Sequence, residues 1–447
     1  MPKVAFYTLG CKSNQYETDR MAKAVFDAGF ELVPYPGPAD TYVINTCTVT
    51  GNADKKSRHA VRYAKKINPS AKVIVTGCYA ETTNFKMSEA DLVVSNKDKL
   101  NILKYIRDEK SETRNEPRRK DKLCPVNIES GVYLREQRTI SHFSLSTSNF
   151  SRVRSNLMIE NGCENFCSYC IVPHVRGKIT SMPFDQVITE AKQMVKDGVK
   201  EIVLTGINIG EYNSGLASPI SHLPSLLDKL SQINGLLRIR LSSIEPMYVD
   251  DELIRAIKEN PKVCKHLHIP LQSGDDGILK AMNRNYTAKD FLSLTKRIKK
   301  QIKDIAITTD IIIGFPGEDE KAFKNTLKLV DKIQFSRIHI FSYSDRPGTP
   351  AAKFMGKIDP KTIGKRREKL GKLREKYMLK FHRSFLKKSA DVLIENKDKS
   401  SGMYEGLTSN YIKVFLTGKS LDDKLIGKII PVKFMDCQVE HVIASRA

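Results

Sequence analysis

The chain of 447 residues is 40% hydrophobic and 28% charged, and its 74 Lys plus Arg against 51 Asp plus Glu leave a net charge of +23. No apolar run approaches the roughly 18 residues of a membrane helix, and nine cysteines, an odd number, are too few for a disulfide scaffold at this length. A membrane-spanning helix and a disulfide-stapled fold are thereby excluded, and the cationic excess favours a polyanionic partner.

Residues 1–107 read as an α/β domain. The start "MPKVAFYTLGC" lacks the basic and apolar regions of a signal peptide, so a cytoplasmic location is expected. Short β-branched runs, "KVAFYTL", "TYVINTC", "KVIVTGC" and "DLVVS", alternate with helical stretches at Thr18–Ala28 and Lys55–Ile67. That alternation predicts a parallel sheet with crossover helices. Three of the runs end on a cysteine: Cys11, Cys47 and Cys78. Ligands of open α/β sheets collect at the carboxyl ends of strands, so these three thiols are expected at one rim. The competing reading is three small buried hydrophobes.

Residues 108–150 are polar and aperiodic, a linker with some strand character near Val132–Leu134. Cys124 has no partner there at ligand spacing and is read as incidental.

Residues 151–387 repeat a strand-plus-helix unit. The strands are "NLMIE", "EIVLTG", "LRIRLSS", "HLHIPLQSG", "AITTDIIIGFPGE" and "RIHIFSYS". Helices are expected at Phe184–Asp197, Asp251–Glu259, Ala288–Gln301 and Glu320–Ile333. Six units fall short of the eight of a closed barrel and predict a partial (β/α)6 barrel, its chemistry at the carboxyl ends of the strands. Directly after the first strand comes "NGCENFCSYCIVPHVRGK", with Cys163, Cys167 and Cys170 spaced C-x3-C-x2-C. Thiolates favour iron–sulfur clusters, zinc or copper(I). A structural zinc takes four ligands, whereas a cubane held by three thiolates keeps one iron open. The stretch Lys361–Lys388 holds 12 Lys or Arg and two acids, and Leu370, Leu373, Tyr377, Phe381 and Phe385 recur at helical spacing. This predicts an amphipathic helix with a cationic outer face, for which nucleic acid is the fitting polyanion.

Residues 388–447 contain "ADVLIE", "YEGLTSNYIKVFL", "GKIIPVKFMD" and "HVIAS", short strands with turn residues between them, as in a small β-barrel. Tyr404, Asn410 and Tyr411 among lysines would suit an RNA-binding face. A β-domain that only packs or dimerises is the alternative.

On these residues the chain resembles the radical S-adenosylmethionine methylthiotransferase family. The C-x3-C-x2-C loop on a six-unit barrel is similar to the radical S-adenosylmethionine superfamily; the preceding three-cysteine domain and the trailing, TRAM-like β-barrel complete the family's domain order. "YTLGCKSNQYETD", "LTGINIGEY", "LSSIEP" and "HLHIPLQSGDDGILKAMNRNYT" resemble the branch acting on N6-threonylcarbamoyladenosine in tRNA. The resemblance implies two [4Fe-4S] clusters, one on Cys163, Cys167 and Cys170 that also binds S-adenosylmethionine, the other on Cys11, Cys47 and Cys78. It implies a cofactor pocket lined by Tyr169, Gly206, Glu245 and Gly314, where Gly314 and Gly317 would let backbone approach the ligand. By the same resemblance S-adenosylmethionine is used twice, as methyl donor and as radical source, and sulfur and methyl are placed at C2 of adenosine 37 beside the anticodon. A sulfur donor and an electron donor of the flavodoxin or ferredoxin type are implied as partners, and no membrane.

Within the family, isopentenyladenosine 37 in tRNA and a ribosomal-protein aspartate are the alternative targets. Outside it, the rival is a metal-containing RNA-binding protein without activity. His266 and His268 alternate on a strand and are read as packing or hydrogen-bonding groups, and Cys264 and Cys437 as core. "DRPGTPA" (Asp345–Ala351) is read as a turn, and no G-x4-G-K-[ST] phosphate loop occurs.

Overall fold

The computed structural model describes residues 1–82, 85, 87–107, 152–213, 223–398, 401–417 and 423–447. Cys124 and the strand expected at Val132–Leu134 lie outside them. By its contacts the chain forms two compact units, Met1–Ser146 with Ile171–Lys178, and Thr147–Cys170 with Ile179–Ala447.

The first unit contains β1 (Lys3–Thr8), α1 (Lys12–Asp27), β2 (Glu31–Pro34), β3 (Thr41–Thr46), α2 (Gly51–Ile67), β4 (Lys72–Gly77), β5 (Leu92–Val93), α3 (Ile102–Arg107) and α4 (Val172–Arg176). Its sheet has the order β2-β1-β3-β4-β5, and every pairing is parallel. The central strand β3 is buried at each position, as expected for a parallel sheet covered on both faces. Tyr42 and Ile44 pack with Ala60, Val61 and Ala64 of α2, while Val43 packs with Met21 and Val25 of α1. Two elements differ from expectation. Helix α1 begins at Lys12, not Thr18, because its first turns bury polar Ser13, Asn14 and Glu17 and show no apolar period. The edge strand β2 carries too few apolar residues to announce itself.

The second unit opens with β6 (Arg154–Met158), β7 (Glu160–Asn161), β8 (Thr180–Ser181), α5 (Phe184–Lys196), β9 (Glu201–Thr205), α6 (Leu223–Ser231), β10 (Arg238–Leu241) and α7 (Asp251–Glu259). It continues with β11 (His266–His268), α8 (Asp276–Ala281), α9 (Ala288–Gln301), β12 (Ala306–Ile313), α10 (Glu320–Ile333), β13 (Arg337–Ser342) and α11 (Pro360–Arg383). Two parallel triplets, β6-β9-β10 and β11-β12-β13, are joined by single parallel bridges at Ile239–Val263 and Ser243–His268. The result is the partial (β/α)6 barrel. Helices α7, α9 and α10 have the expected limits because their ends are locally encoded. Asp250 caps α7, Thr287 and Asp290 form a capping box on α9, and Asp319 caps α10.

The remaining strands, β14 (Ser389–Lys397), β15 (Tyr404–Thr408), β16 (Lys413–Thr417), β17 (Ile429–Cys437) and β18 (Val442–Arg446), close into a small barrel of order β14-β15-β16-β18-β17. Its core includes Val392, Ile394, Val414, Leu416, Val432 and Phe434. Arg238 donates to the Leu407 and Asp391 carbonyls at 2.6 and 2.9 Å, and Arg240 donates to those of Ser409 and Thr408 at 2.9 and 3.1 Å. Both arginines come from β10, so the closed barrel is hydrogen-bonded to the partial one.

Three expectations are corrected here. Tyr404 is 1% exposed, part of the small barrel's core. Tyr411 stacks on His266 at 4.6 Å and lies under the Arg240 guanidinium at 4.7 Å, while the Asn410 amide donates to the Asp304 carbonyl. These side chains face the partial barrel and form no open RNA-binding face. The basic helix ends at Arg383, and Arg366 is buried against Glu318 instead of joining the cationic surface. Lys361, Lys365, Arg367, Lys369, Lys372, Lys376, Lys380 and Arg383 are exposed on it.

Candidate active site

In the first unit, Cys47 and Cys78 immediately follow β3 and β4, and Cys11 is the N-cap residue of α1. Because β1, β3 and β4 are neighbours in the sheet, their carboxyl ends bring the three cysteines to one rim. Two glycines make the approach possible. A Cβ on Gly10 would stand 2.9 Å from the Cys47 sulfur, and one on Gly77 would stand 2.4 Å from the Thr46 carbonyl oxygen; both have positive φ, 104° and 93°. The Asn14 amide ties the rim together, donating to the Leu9 and Thr46 carbonyls at 2.7 and 3.0 Å. Cys47 and Cys78 are buried and Cys11 is exposed, and none of the three is in a disulfide. Burial pushes the Cys47 thiol up to about 12, with the charges of Cys78 and Cys11 adding to it.

Positive charge stands behind these sulfurs. Arg176 of α4, with its side chain 1% exposed, pairs with Glu17 at 2.9 Å and also donates to Asn14. Lys99, equally buried, pairs with the same carboxylate at 2.5 Å. Two cations against one carboxylate leave a buried surplus of about one positive charge, and Cys78 and Cys11 lie within electrostatic reach of Arg176. Burial opposes the ionisation of Glu17, but Lys99 and Arg176 together hold its carboxyl below the ordinary range. A set of thiols with no carboxylate or imidazole among them, backed by net positive charge, suits an anionic thiolate–metal cluster. Apolar packing is part of the site too: Ile171 and Val175 lie on Cys78.

In the second unit, Cys163, Cys167 and Cys170 lie on the loop after β6 and β7. The loop is pinned from the far side of the barrel. Ser168 donates to the Met282 carbonyl through its N–H at 3.0 Å and to that of Ala281 through its hydroxyl at 2.7 Å, and it accepts the Ala351 N–H at 2.8 Å. The Asn283 amide donates to the carbonyls of Asn165 and Phe166. Phe166, 54% exposed, takes φ 43° at the tip. The Arg284 guanidinium is 3.2 Å from the Cys167 sulfur, is ion-paired with Glu245 and donates to the Tyr286 hydroxyl at 3.0 Å. Burial raises the Cys163 thiol to about 12 and raises Glu245, the latter against the pull of Arg284. The three thiols thus share one loop, with Glu211 and Glu160 acting on Cys163 and a cation at Cys167.

The residues expected to line a cofactor pocket take different positions. Tyr169 follows Ser168 on the cysteine loop and meets Phe315 edge-on at 6.5 Å. Glu245 lies beside Arg284 and so near Cys167. Gly206 follows β9 and lies against Glu160, where a Cβ would come within 2.6 Å of that carboxylate. Gly314, at φ 75°, donates its N–H to Glu318 at 2.7 Å and packs on Ile363; Gly317, at φ 83°, has nothing within 4 Å of a Cβ. The Ser242 hydroxyl, in the "SSIEP" turn after β10, is buried without a hydrogen-bond partner among the described residues, as a polar ligand's partner would be. Sequence reading passed over Arg176, Lys99, Glu17 and Arg284. An arginine directly after "MN" in "AMNRNYT" carries no local mark of its approach to a sulfur 117 positions away.

A six-strand partial barrel with a three-cysteine loop after its first strand defines a radical S-adenosylmethionine enzyme, and the model for the "Radical SAM superfamily" matches residues 158–330. Residues 3–96 match the model described as "Uncharacterized protein family UPF0004". The chain is 37% identical over 445 residues to "Threonylcarbamoyladenosine tRNA methylthiotransferase MtaB" of Bacillus subtilis (strain 168), covering 97% of this chain and 94% of the relative. The protein of the same name from Thermotoga maritima is 35% identical, with 100% and 98% covered. "tRNA-2-methylthio-N(6)-dimethylallyladenosine synthase" of Thermodesulfovibrio yellowstonii is 32% identical, with 95% and 94% covered. The chain belongs to the radical S-adenosylmethionine methylthiotransferase family, and its cofactors are S-adenosylmethionine and iron–sulfur. Among solved structures, the radical S-adenosylmethionine methyltransferase TsrM from Kitasatospora setae shares the fold, with a TM-score of 0.55 and 16% identity over 79% of this chain and 77% of that one. Among the described residues, no helix is long and apolar enough to cross a membrane.

Proposed function

We propose that the chain is a tRNA methylthiotransferase that inserts sulfur and a methyl group at C2 of N6-threonylcarbamoyladenosine 37. The observation that carries this reading is a rim of three cysteines in the first unit and a loop of three in the second, each with a buried cation beside it. Relatives bearing the threonylcarbamoyladenosine name reach 37% identity over 97% of this chain and those bearing the dimethylallyladenosine name reach 35% over 95%, which supports methylthiolation of a tRNA adenosine.

In this reading Cys11, Cys47 and Cys78 hold one [4Fe-4S] cluster, and Cys163, Cys167 and Cys170 hold a second. Residues 1–107 form the methylthiotransferase domain, 151–387 the radical barrel with its basic helix, and 388–447 the TRAM-like barrel, with 108–150 a linker. When bound, the second cluster supplies one-electron cleavage of S-adenosylmethionine and so a species able to abstract hydrogen from an aromatic carbon, which no side-chain base can do. The protein positions and shields. Arg284 fixes Glu245 and offers an N–H to the Cys167 sulfur, a hydrogen bond of the kind that tunes a cluster's potential. Arg176 and Lys99 are buried cations behind the first set of thiols, whose protons must leave when metal binds. Tyr169 and Ser242 offer an aromatic edge and a hydroxyl to the S-adenosylmethionine. The exposed cations of α11 attract the RNA. The cytoplasm, an electron donor of flavodoxin or ferredoxin type and a sulfur donor complete the setting.

The test is iron analysis after anaerobic purification, joined to nucleoside mass spectrometry of tRNA from cells lacking the gene. Replacing Cys163, Cys167 and Cys170 by Ala should halve the iron and end S-adenosylmethionine cleavage. Replacing Cys11, Cys47 and Cys78 should halve the iron and end sulfur insertion alone. A knockout that keeps its 2-methylthio-N6-threonylcarbamoyladenosine and loses the isopentenyl analogue would refute the substrate.

A further inference from the structure

Strands β11, β12 and β13 carry a continuous run of polar side chains. His266 Nε2 lies 3.1 Å from Thr308 Oγ1, and Thr308 Oγ1 lies 2.9 Å from His268 Nδ1. His268 Nε2 is 3.3 Å from Asp310 Oδ1, and the same oxygen is 3.1 Å from His339 Nδ1. Asp310 and His339 are direct partners in the β12–β13 register, and the rings of His268 and His339 stack at 5.3 Å.

The chemistry of the groups assigns each proton. An ionised carboxylate only accepts, so His268 Nε2 and His339 Nδ1 must both carry the hydrogen that faces Asp310. With neutral imidazoles, His268 Nδ1 accepts the Thr308 hydroxyl proton, the Thr308 oxygen accepts from His266 Nε2, and His339 Nε2 is an acceptor. Burial opposes the ionisation of Asp310, but the two histidine hydrogen bonds outweigh it and hold the carboxyl well below its ordinary range. His339 Nε2 takes no part in these contacts, and its side chain is 46% exposed with its orientation fixed by Asp310. The ladder lies beside the turn that carries Glu245, because Ser243 bridges His268 in the sheet, and Glu245 pairs with Arg284 at Cys167.

We propose that the His268–Asp310–His339 ladder is the subsite for the N6 substituent of the substrate adenosine and selects a hydrogen-bonding substituent over an aliphatic one. This rests on the reading of the chain as a tRNA adenosine methylthiotransferase. A threonylcarbamoyl group brings N–H and O–H donors for His339 Nε2, with its carboxylate turned away from ionised Asp310. An isopentenyl group brings only hydrocarbon, and seating it here would strip water from His339 and Asp310 without replacing its hydrogen bonds. A site built from oriented polar groups rejects such an analogue far more strongly than an apolar pocket rejects a slightly altered hydrocarbon.

The experiment uses the full-length reconstituted enzyme and two anticodon stem-loop RNAs, identical except for a threonylcarbamoyl or an isopentenyl group on N6. The readout is the ratio of their kcat/KM values, because a poorly folded or cluster-poor variant loses rate on both RNAs together and leaves the ratio alone. His339→Phe keeps a ring to stack on His268 and removes both nitrogens; it should lower the preference for the threonylcarbamoyl RNA about tenfold or more. Asp310→Asn, which no longer dictates the tautomer, should lower it too, and His339→Gln, which retains an acceptor, should restore part of it. A ratio that His339→Phe and Asp310→Asn leave unchanged overturns the subsite while the functional reading stands. A wild-type enzyme inert on the threonylcarbamoyl RNA defeats that reading and the subsite with it. A stoichiometric divalent ion other than iron in the wild-type protein, lost in His339→Phe, would make the ladder a cation site and overturn the assignment.

Discussion

Arg240→Ala should loosen the C-terminal barrel from the radical barrel without unfolding either. The Arg240 side chain is 1% exposed and that of Glu201 fully buried. Arg240 donates Nε to Glu201 Oε1 at 2.6 Å and Nη2 to Oε2 at 3.2 Å, and it also reaches the Ser409 and Thr408 carbonyls at 2.9 and 3.1 Å. Truncation leaves a buried carboxylate whose next cation, Arg238, is at 4.0 Å, and it uncovers both carbonyls. Removing one partner of a buried pair costs about 3–5 kcal/mol, or roughly two to four powers of ten in the opening equilibrium. The stranded carbonyls belong to the last residue of β15 and the one after it, so the effect should be local. Hydrogen exchange is the assay, with amides of Tyr404–Thr417 expected to exchange at least about a hundredfold faster in the variant while β4 and β12 keep their protection. Glu201→Gln, which retains an oxygen for Arg240, should be milder. A change below about tenfold at those amides, or equal loss of protection throughout the second unit, would refute the reasoning.

The other expectations are more compact. Burial opposes the charge on Glu201 and Arg240 overrides it, leaving the carboxyl below its ordinary 4.5; a depressed folded value means that the stabilisation is complete above 4.5 and is lost as pH falls through the lower folded value. Protection of Tyr404–Thr417 should thus hold at about pH 5 to 7 and decline only in stronger acid, and a decline beginning above about pH 5 would show that another group controls the docking. Gly10→Ala puts a Cβ 2.9 Å from the Cys47 sulfur at φ 104°, so it should cost about 1–3 kcal/mol of first-unit stability and reduce iron at that site, as read by calorimetry and iron analysis. Gly198→Ala, at φ 98° with nothing within 4 Å, is the control for backbone strain alone; equal iron in both variants would count against the close approach. Replacing Lys361, Lys365, Arg367 and Lys372 by Ala should weaken tRNA binding and flatten its salt dependence by about 0.7–0.9 in log–log slope for each phosphate no longer neutralised. An unchanged slope would move the RNA off α11.

The chain's chemistry was legible wherever it is written within a few residues. The C-x3-C-x2-C spacing needs only one loop, and Cys47 and Cys78 follow apolar β-branched runs that name their strands. Helices α7, α9 and α10 begin at side-chain caps and keep an apolar period, so their limits could be read to the residue. By themselves these local signals determined the parallel-sheet domain, the six βα units and the trailing β-barrel. Tertiary structure decided which charges are buried and which aromatic rings are covered. Glu17, Lys99 and Arg176 form one buried cluster from segments up to 159 positions apart, while Tyr404 and Tyr411, set among lysines, turn inward to a core and to a histidine. His339 looked like one residue of a strand until the β12–β13 register set it beside Asp310. The physical reason is that periodicity and caps report a segment's own conformation. A buried charge or an oriented imidazole is held by a partner that only the fold brings within hydrogen-bond reach.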